Sequence, residues 1–309
     1  MFKLFIRVFL ITIPFTATLA QNIPTIKDAY IKLNKRNFEG AIHDFNRILG
    51  SSPNNTEALC GRAEAKSSIG NYEDALKDIN QAIALESSNG KAYCVKGDIL
   101  FFQKDYQGAA KLYNEALSKP NAPSAAIIGK SRIASQAGNT KEAYKLLDDA
   151  IETKPGDADL YYARGLLNNG QKRYTKSLQD FDKAIALNPE QNTFGIYFNR
   201  GLANFNLEEY ADAITDYTKA IEIDPTNATP YNSRGIAYYE QESYKEAIAD
   251  FLKSLEISPN NAGTFYNLGM AYNKEEDIDN ACYYFNKSCQ LKNTNACKMI
   301  VLTCPEYKK

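Results

Sequence analysis

Laid out in blocks of 34 residues from Asn22, the chain aligns with itself eight times. The blocks are 22–55, 56–89, 90–123, 124–157, 158–191, 194–227, 228–261 and 262–295, with only Asn192-Thr193 left between them. Slot 8 of every block is small: Ala29, Ala63, Gly97, Ser131, Gly165, Gly201, Gly235 and Gly269. Slot 20 is small as well, with Ala41, Ala75, Ala109, Ala143, Ser177, Ala213, Ala247 and Ala281. Slot 27 is small in seven of the eight blocks, Ile48 being the exception. Slot 24 is always large and apolar or aromatic: Phe45, Ile79, Tyr113, Leu147, Phe181, Tyr217, Phe251 and Phe285. A unit of this length cannot bury its apolar face alone, so a fixed period of this kind means stacked units sharing one core.

Slots 4, 8 and 11 recur at helical intervals, as do slots 17, 20, 24 and 27, which predicts two amphipathic helices per block. Pro53, Pro155, Pro189, Pro225 and Pro259 at slot 32 end the second helix. The expected fold is an all-α, right-handed superhelical solenoid of eight helix-turn-helix repeats. No convincing strand interrupts it. Hydrophobic residues make up 44% and charged residues 24% of the 309, enough apolar surface to fold most of the chain.

The period, the slot pattern and stretches such as YYARGLLNNGQKRYTKSLQDFDKAIALNP and YNSRGIAYYEQESYKEAIADFLKSLEISP resemble the tetratricopeptide repeat family. The resemblance covers nearly all of 22–295 and implies a binding scaffold whose first helices line a concave surface. It names no partner, because one fold serves many assemblies. Thr25 at slot 4 of block 1, and Thr140 and Ile278 at slot 17 of blocks 4 and 8, replace aromatics and mark places for looser packing.

Residues 1–20 read MFKLFIRVFLITIPFTATLA. Lys3 and Arg7 open it, an apolar run follows, and Thr18 and Ala20 offer small residues before Gln21, the layout of a secretory signal peptide. The apolar run is shorter than the roughly 17–25 residues of a membrane span, so no span is expected after cleavage. No Cys follows it to take a lipid. Loss of Lys3 and Arg7 takes the net charge from -1 to -3. A periplasmic, secreted or cell-surface location is expected. The charge balance argues against a nucleic-acid partner.

A charge ladder runs through the repeats. Arg62, Arg164, Arg200 and Arg234 at slot 7 co-occur with Asp78, Asp180, Asp216 and Asp250 at slot 23 of the same block. The expectation is a structural ion pair bridging the two helices of one block, since guanidinium meets carboxylate with two hydrogen bonds. The alternative is a basic strip for an anionic ligand. Lys96 and Lys130 occupy slot 7 in blocks 3 and 4, where Leu112 and Leu146 replace the acid.

Cys282 and Cys289 are seven apart on the last repeat helix, and Cys297 and Cys304 are seven apart on the segment after it. If Ala296–Leu302 forms an antiparallel capping helix, Cys289 meets Cys297 and Cys282 meets Cys304. The KSCQLKNTNACKM stretch also resembles the cysteine-rich Sel1-like repeats, which implies disulfides here. Four reduced cysteines or a zinc site remain as alternatives, though closely spaced zinc-ligand pairs are absent. Cys60 and Cys94 share one slot of adjacent blocks. Helices 8–10 Å apart keep them beyond disulfide reach, so two free thiols are expected.

The concave slots differ between the two halves. Blocks 2 and 3 offer Glu57, Cys60, Glu64, Lys91, Cys94 and Asp98. Blocks 5–8 offer Tyr162, Leu166, Phe198, Leu202, Phe205, Ile236, Tyr239, Tyr266 and Met270, with Asn169, Asn206, Asn232 and Asn273 between them. Aromatic anchors with amides able to bond a backbone suit an extended peptide or a partner helix. Packing of slots 5 and 9 against the neighbouring helix is the structural alternative. The family's Lys-Asn-Arg clamp for a terminal carboxylate is incomplete: Asn199 and Asn267 stand in one clamp slot, but Thr229 and Ser233 follow Asn199.

Little else points to chemistry. There is no phosphate loop after a strand. His43, the only histidine, is expected to be a solvated side chain. No cofactor and no metal are expected. Asn54, Asn227 and Asn286 sit in N-x-S/T triplets that matter only where secreted chains are glycosylated. The reading is an exported protein-protein interaction scaffold and not an enzyme. A carbohydrate-binding module using the groove aromatics is the first alternative, and an enzyme with an unrecognised site the second.

Overall fold

The computed structural model describes residues 23–188 and 194–304, so the expected signal peptide 1–20 and the Asn192-Thr193 insertion lie outside the described residues. All regular structure in the described residues is helical. Each block holds two helices: α1 (Ile26–Asn34) and α2 (Phe38–Ser51), α3 (Thr56–Ser68) and α4 (Tyr72–Leu85), α5 (Gly90–Phe102) and α6 (Tyr106–Leu117), α7 (Ser124–Gln136) and α8 (Thr140–Thr153). The second half continues with α9 (Ala158–Gly170) and α10 (Tyr174–Leu187), α11 (Phe194–Asn206) and α12 (Tyr210–Ile223), α13 (Ala228–Glu240) and α14 (Tyr244–Ile257), α15 (Ala262–Lys274) and α16 (Ile278–Gln290). A last helix, α17 (Thr294–Thr303), covers the end of the stack and is longer at both ends than the expected Ala296–Leu302. The whole is a superhelical all-α solenoid.

Local chemistry sets the helix limits. Asn55, Asn89, Asp157, Asn227 and Asn261 accept backbone N–H groups at the start of the first helix of the next block. Thr25, in place of an aromatic, forms a capping box with Asp28. The turn inside every repeat passes through slot 15 with φ between 57° and 80°. Only Gly70 and Gly138 suit that left-handed conformation; the other six blocks place Arg36, Lys104, Lys172, Glu208, Glu242 and Glu276 there. Where slot 32 is proline the second helix ends two residues before it, and the residue between, such as Ser52 or Asp224, leaves the helical conformation.

The small columns face the core. All eight slot-20 residues are fully buried, and every slot-24 side chain is at most 1% exposed. A Cβ built on Gly97, Gly165, Gly201, Gly235 or Gly269 would stand 2.6–2.9 Å from the ring of Tyr113, Phe181, Tyr217, Phe251 or Phe285. Slots 8 and 24 of one block therefore compensate in volume. Ala63 pairs with Ile79 and Ser131 with Leu147, where no ring needs the room. Block 1 solves the problem differently: the Phe45 ring lies on Gly61 of the next repeat.

The stack coils far enough to touch itself. Arg36, at the α1–α2 turn, reaches Asp224 at the end of α12 with Nε 3.3 Å from the carboxylate. Its guanidinium carbon is 5.4 Å from both the Phe38 and the Phe194 ring centres.

Two glycines in helices test the packing argument against helix propensity. Gly50 has nothing within 4 Å of a Cβ, so Gly50→Ala should raise the melting temperature, in line with a gain of about 0.5–1 kcal/mol. Gly235→Ala carries the same propensity gain but presses on Phe251 and should lower it, overpacking costing about 1–3 kcal/mol. Thermal denaturation by circular dichroism reads both signs.

Candidate partner-binding groove and its supports

The four predicted Arg/Asp partners meet within each repeat. Arg62 reaches Asp78 at 2.6 Å, Arg164 reaches Asp180 at 2.7 Å, Arg200 reaches Asp216 at 2.6 Å and Arg234 reaches Asp250 at 2.7 Å. Each uses two guanidinium nitrogens. A third nitrogen reaches back to slot 25 of the preceding repeat: Asn46, Asp148, Asp182 or Thr218, at 2.7–2.9 Å. Each arginine thus ties three helices, where the sequence reading had two. Slot 11 completes three of the acids, with Lys66, Asn168 and Asn204 donating to Asp78, Asp180 and Asp216. Burial pushes the Asp216 carboxyl up while Arg200 and Asn204 pull it back. Asp44, without a slot-7 arginine, takes Lys32 at 2.6 Å.

Repeats 3 and 4, where the ladder lapses, use another device. The Tyr113 hydroxyl donates to Asp98 at 2.8 Å, and Arg132 pairs with the same carboxylate while lying 4.8 Å over Phe101. A tyrosine rather than phenylalanine at slot 24, beside Asp98 at slot 9 of the same block, was the available signal.

At the C-terminal end α16 and α17 place Cys282 opposite Cys304 and Cys289 opposite Cys297, with Cα separations of 5.7 Å and 4.9 Å suited to disulfides. Ala296 and Ile300 of α17 pack on Phe285 and Ala281. Cys60 and Cys94 are buried and free, and burial pushes each thiol up to about 12. His43 is well exposed, its ring 3.4 Å from Asp44.

First helices carry the expected groove residues. Tyr162, Phe198, Leu202, Phe205, Asn232, Ile236, Tyr239, Tyr266 and Met270 are half-buried, and Leu166 is exposed. Tyr162, Phe198 and Tyr266 each set part of the ring against slot 24, 5.8–6.0 Å from Phe181, Tyr217 and Phe285. Phe205 and Tyr239 lean on Tyr210 and Tyr244. Tyr266 and Met270 also pack into the cluster under α17. The amides are less free than the sequence suggested. Asn169 donates to the Asn199 carbonyl, Asn206 to Leu202 and Asn267 to Asn232, while the Asn169 carbonyl oxygen stays buried without a partner. In blocks 2 and 3 the Lys91 ammonium sits 2.8 Å from the Tyr30 hydroxyl and 3.6 Å from Glu64.

Two concave cavities flank this row. One of about 300 Å³ lies between α5, α7 and α9, bounded by Phe101, Ile128, Arg132, Leu166 and Leu167. Another of about 380 Å³ spans the superhelical turn, with Leu33, Phe38 and Glu64 facing Tyr162 and Phe194. Phe101 and Ile128 belong to blocks 3 and 4, which the sequence reading left out of the apolar groove. Among the described residues no group of three or more His, Cys, Asp or Glu could hold a metal ion.

Tetratricopeptide repeat profiles match residues 62–126, 100–167, 158–191 and 262–295, and a TPR repeat profile matches 201–242 and 237–275. The chain belongs to the tetratricopeptide repeat family. No curated protein matches it in sequence. Solved structures share the fold at low identity. The APC/C hetero-tetramer Cut9-Hcn1 superposes with a TM-score of 0.68 at 16% identity over 89% of this chain, which spans 54% of that one. YrrB, a TPR protein with an unusual peptide-binding site, gives 0.55 at 20% identity over 64% of this chain and 99% of its own. The human IFIT1 dimer with m7Gppp-AAAA gives 0.59 at 16% identity over 87% and 71%.

Asp216→Ala leaves the half-buried Arg200 without its main partner and should cost about 3 kcal/mol, seen as a lower urea midpoint. Intact mass after alkylation without reductant should show Cys282, Cys289, Cys297 and Cys304 protected, and Cys60 and Cys94 modified only once the chain is denatured.

Proposed function

We propose that this protein is an exported scaffold that holds an extended segment of a partner protein along its concave wall. The observation that carries the reading is the row of half-buried aromatic and aliphatic side chains on successive first helices, Tyr162, Phe198, Leu202, Ile236 and Tyr239, continued by the apolar cavity at Leu166. Such anchors offer area to a peptide while the helix stack holds them in fixed spacing. Peptide binding by YrrB on the same fold is a supporting analogy.

Export rests on the leader at 1–20 and on the two cysteine pairs of the C-terminal end. Among the described residues no helix is long and apolar enough to cross a membrane. A non-enzymatic role fits a groove whose titratable groups are paired with one another, as Lys91 is with Glu64 and Arg132 with Asp98. A nucleic-acid ligand is disfavoured by Glu57, Glu64 and Asp98 among the concave cations, which break up the positive field a phosphate backbone needs. A sugar would need open ring faces, and Tyr162, Phe198 and Tyr266 are half-buried and tilted against the slot-24 rings.

The test is Phe198→Asp combined with Leu202→Asp, on half-buried sites at the groove wall. With helicity intact, this variant should lose the partners that the wild-type chain cross-links in envelope fractions. The same partners recovered at the same yield would move the binding site elsewhere.

A further inference from the structure

A second site lies outside the groove. The cleft between α8, α9 and α10 is about 690 Å³, and Thr140 lines it where six of the other seven repeats carry an aromatic. Its walls hold Lys141, Arg164, Arg173 and Lys176 against two carboxylates, Asp148 and Asp180. Both acids are already taken by Arg164. Among the described residues Lys141, Arg173 and Lys176 form no ion pair. Arg173 rests 4.9 Å over the Tyr144 ring, whose hydroxyl donates to Asn168, so its guanidinium is held at the cleft wall.

The fold does not ask for these cations. The equivalent cleft one repeat further on keeps the same architecture around Arg200 but carries Asp182, Glu209, Asp212 and Asp216, four acids against one cation. Glu209 stands in the slot of Arg173, and Asp212 in the slot of Lys176. Arg173 also works against its own helix. It is the N-cap of α10 and makes no side-chain cap bond, as is also so for Glu209 of α12 and Ser243 of α14, whereas Asn37, Asn71, Asp105, Asn139 and Asp277 cap the corresponding helices. No acidic residue occupies the first turn of α10, so the positive end of its dipole faces like charges. The structural return of Arg173 is the contact with the Tyr144 ring, which leaves the guanidinium without an ion pair.

We infer that this convex cleft binds a short acidic segment of a protein, with Arg173 taking one side-chain carboxylate and Lys141 and Lys176 the next. Charge complementarity selects the class, and the neighbouring acidic cleft limits the length. A long polyanion would run from the basic cleft onto Glu209 and Asp212, whereas a short run of Asp or Glu fits within one repeat. The site is independent of the concave groove.

Fluorescence anisotropy on the full mature chain tests it. The probe is a short labelled Glu-rich peptide, beside the same peptide with Gln for Glu. The acidic peptide should bind, with an affinity that falls as salt rises, and the Gln peptide should not. Lys141→Glu/Arg173→Glu/Lys176→Glu, all at exposed positions, should weaken binding about tenfold or more. Arg173→Asn should weaken it while raising the melting temperature, since it restores a cap. The Phe198→Asp/Leu202→Asp variant should keep the acidic peptide, so failure at one site is separable from failure at the other. Equal binding of the two peptides, an unaffected triple variant, or an RNA oligonucleotide held as tightly through the same three residues would overturn the assignment.

Discussion

The structure depends on one contact, repeated: a slot-24 side chain of the second helix laid against the backbone of the first at slot 8. Where that side chain is a ring the backbone must be bare, and five of the six ring-bearing blocks have glycine there. Glycine inside a helix costs about 1 kcal/mol against alanine, so its recurrence at one slot is explained only by the close approach it permits. The approach in turn brings slots 20 and 27 into full burial and fixes the angle between the two helices of a repeat. Repetition of one angle makes the superhelix, and with it a concave side.

Within a repeat the contact is apolar; between repeats it is helped by charge. Arg62, Arg164, Arg200 and Arg234 each hold an acid on their own second helix and an acceptor on the preceding one. A half-buried guanidinium with all its directions filled orders neighbours more than it stabilises them, because desolvation offsets most of the Coulomb gain. Repeats 3 and 4 lack this tie and substitute Tyr113, Asp98 and Arg132 on the concave side. Between repeats 4 and 5 the arginine tie is present, and the cleft of about 690 Å³ lies beside it, with Thr140 on its wall.

How much of this could be read beforehand depended on whether the determinant repeats. The helix pairs, the buried columns, the within-repeat partners of Arg200 and Arg234 and the register of the four C-terminal cysteines all follow from spacing along the chain. The left-handed turn at slot 15 did not, because Arg36, Lys172 and Glu242 conceal a position that only Gly70 and Gly138 advertise. The slot-25 acceptors were hidden by variety, since Asn46, Asp148, Asp182 and Thr218 share only the ability to accept a hydrogen bond. Asn169 and Asn206 read as free amides in the sequence because helix periodicity tells which face a side chain occupies, not whether a carbonyl is within its reach. The meeting of Arg36 with Asp224 is a property of accumulated twist and has no signature in any one block.

That last contact bears on how the groove is reached. Arg36, clasped by Phe38 and Phe194, brings the first repeat against the sixth, so the cavity at Tyr162 has a wall on either side. A segment lying along the first helices there is overlooked by Glu64 and Leu33 across the turn. Entry from the side would have to part an ion pair that is half open to water, and such a pair is worth little, about 0–1 kcal/mol. The coil can therefore be closed in the free protein without making the groove costly to open. In the proposed function the specificity of the concave wall would rest on the anchors Phe198, Leu202 and Ile236 rather than on the closure, because the anchors would meet a partner with buried area.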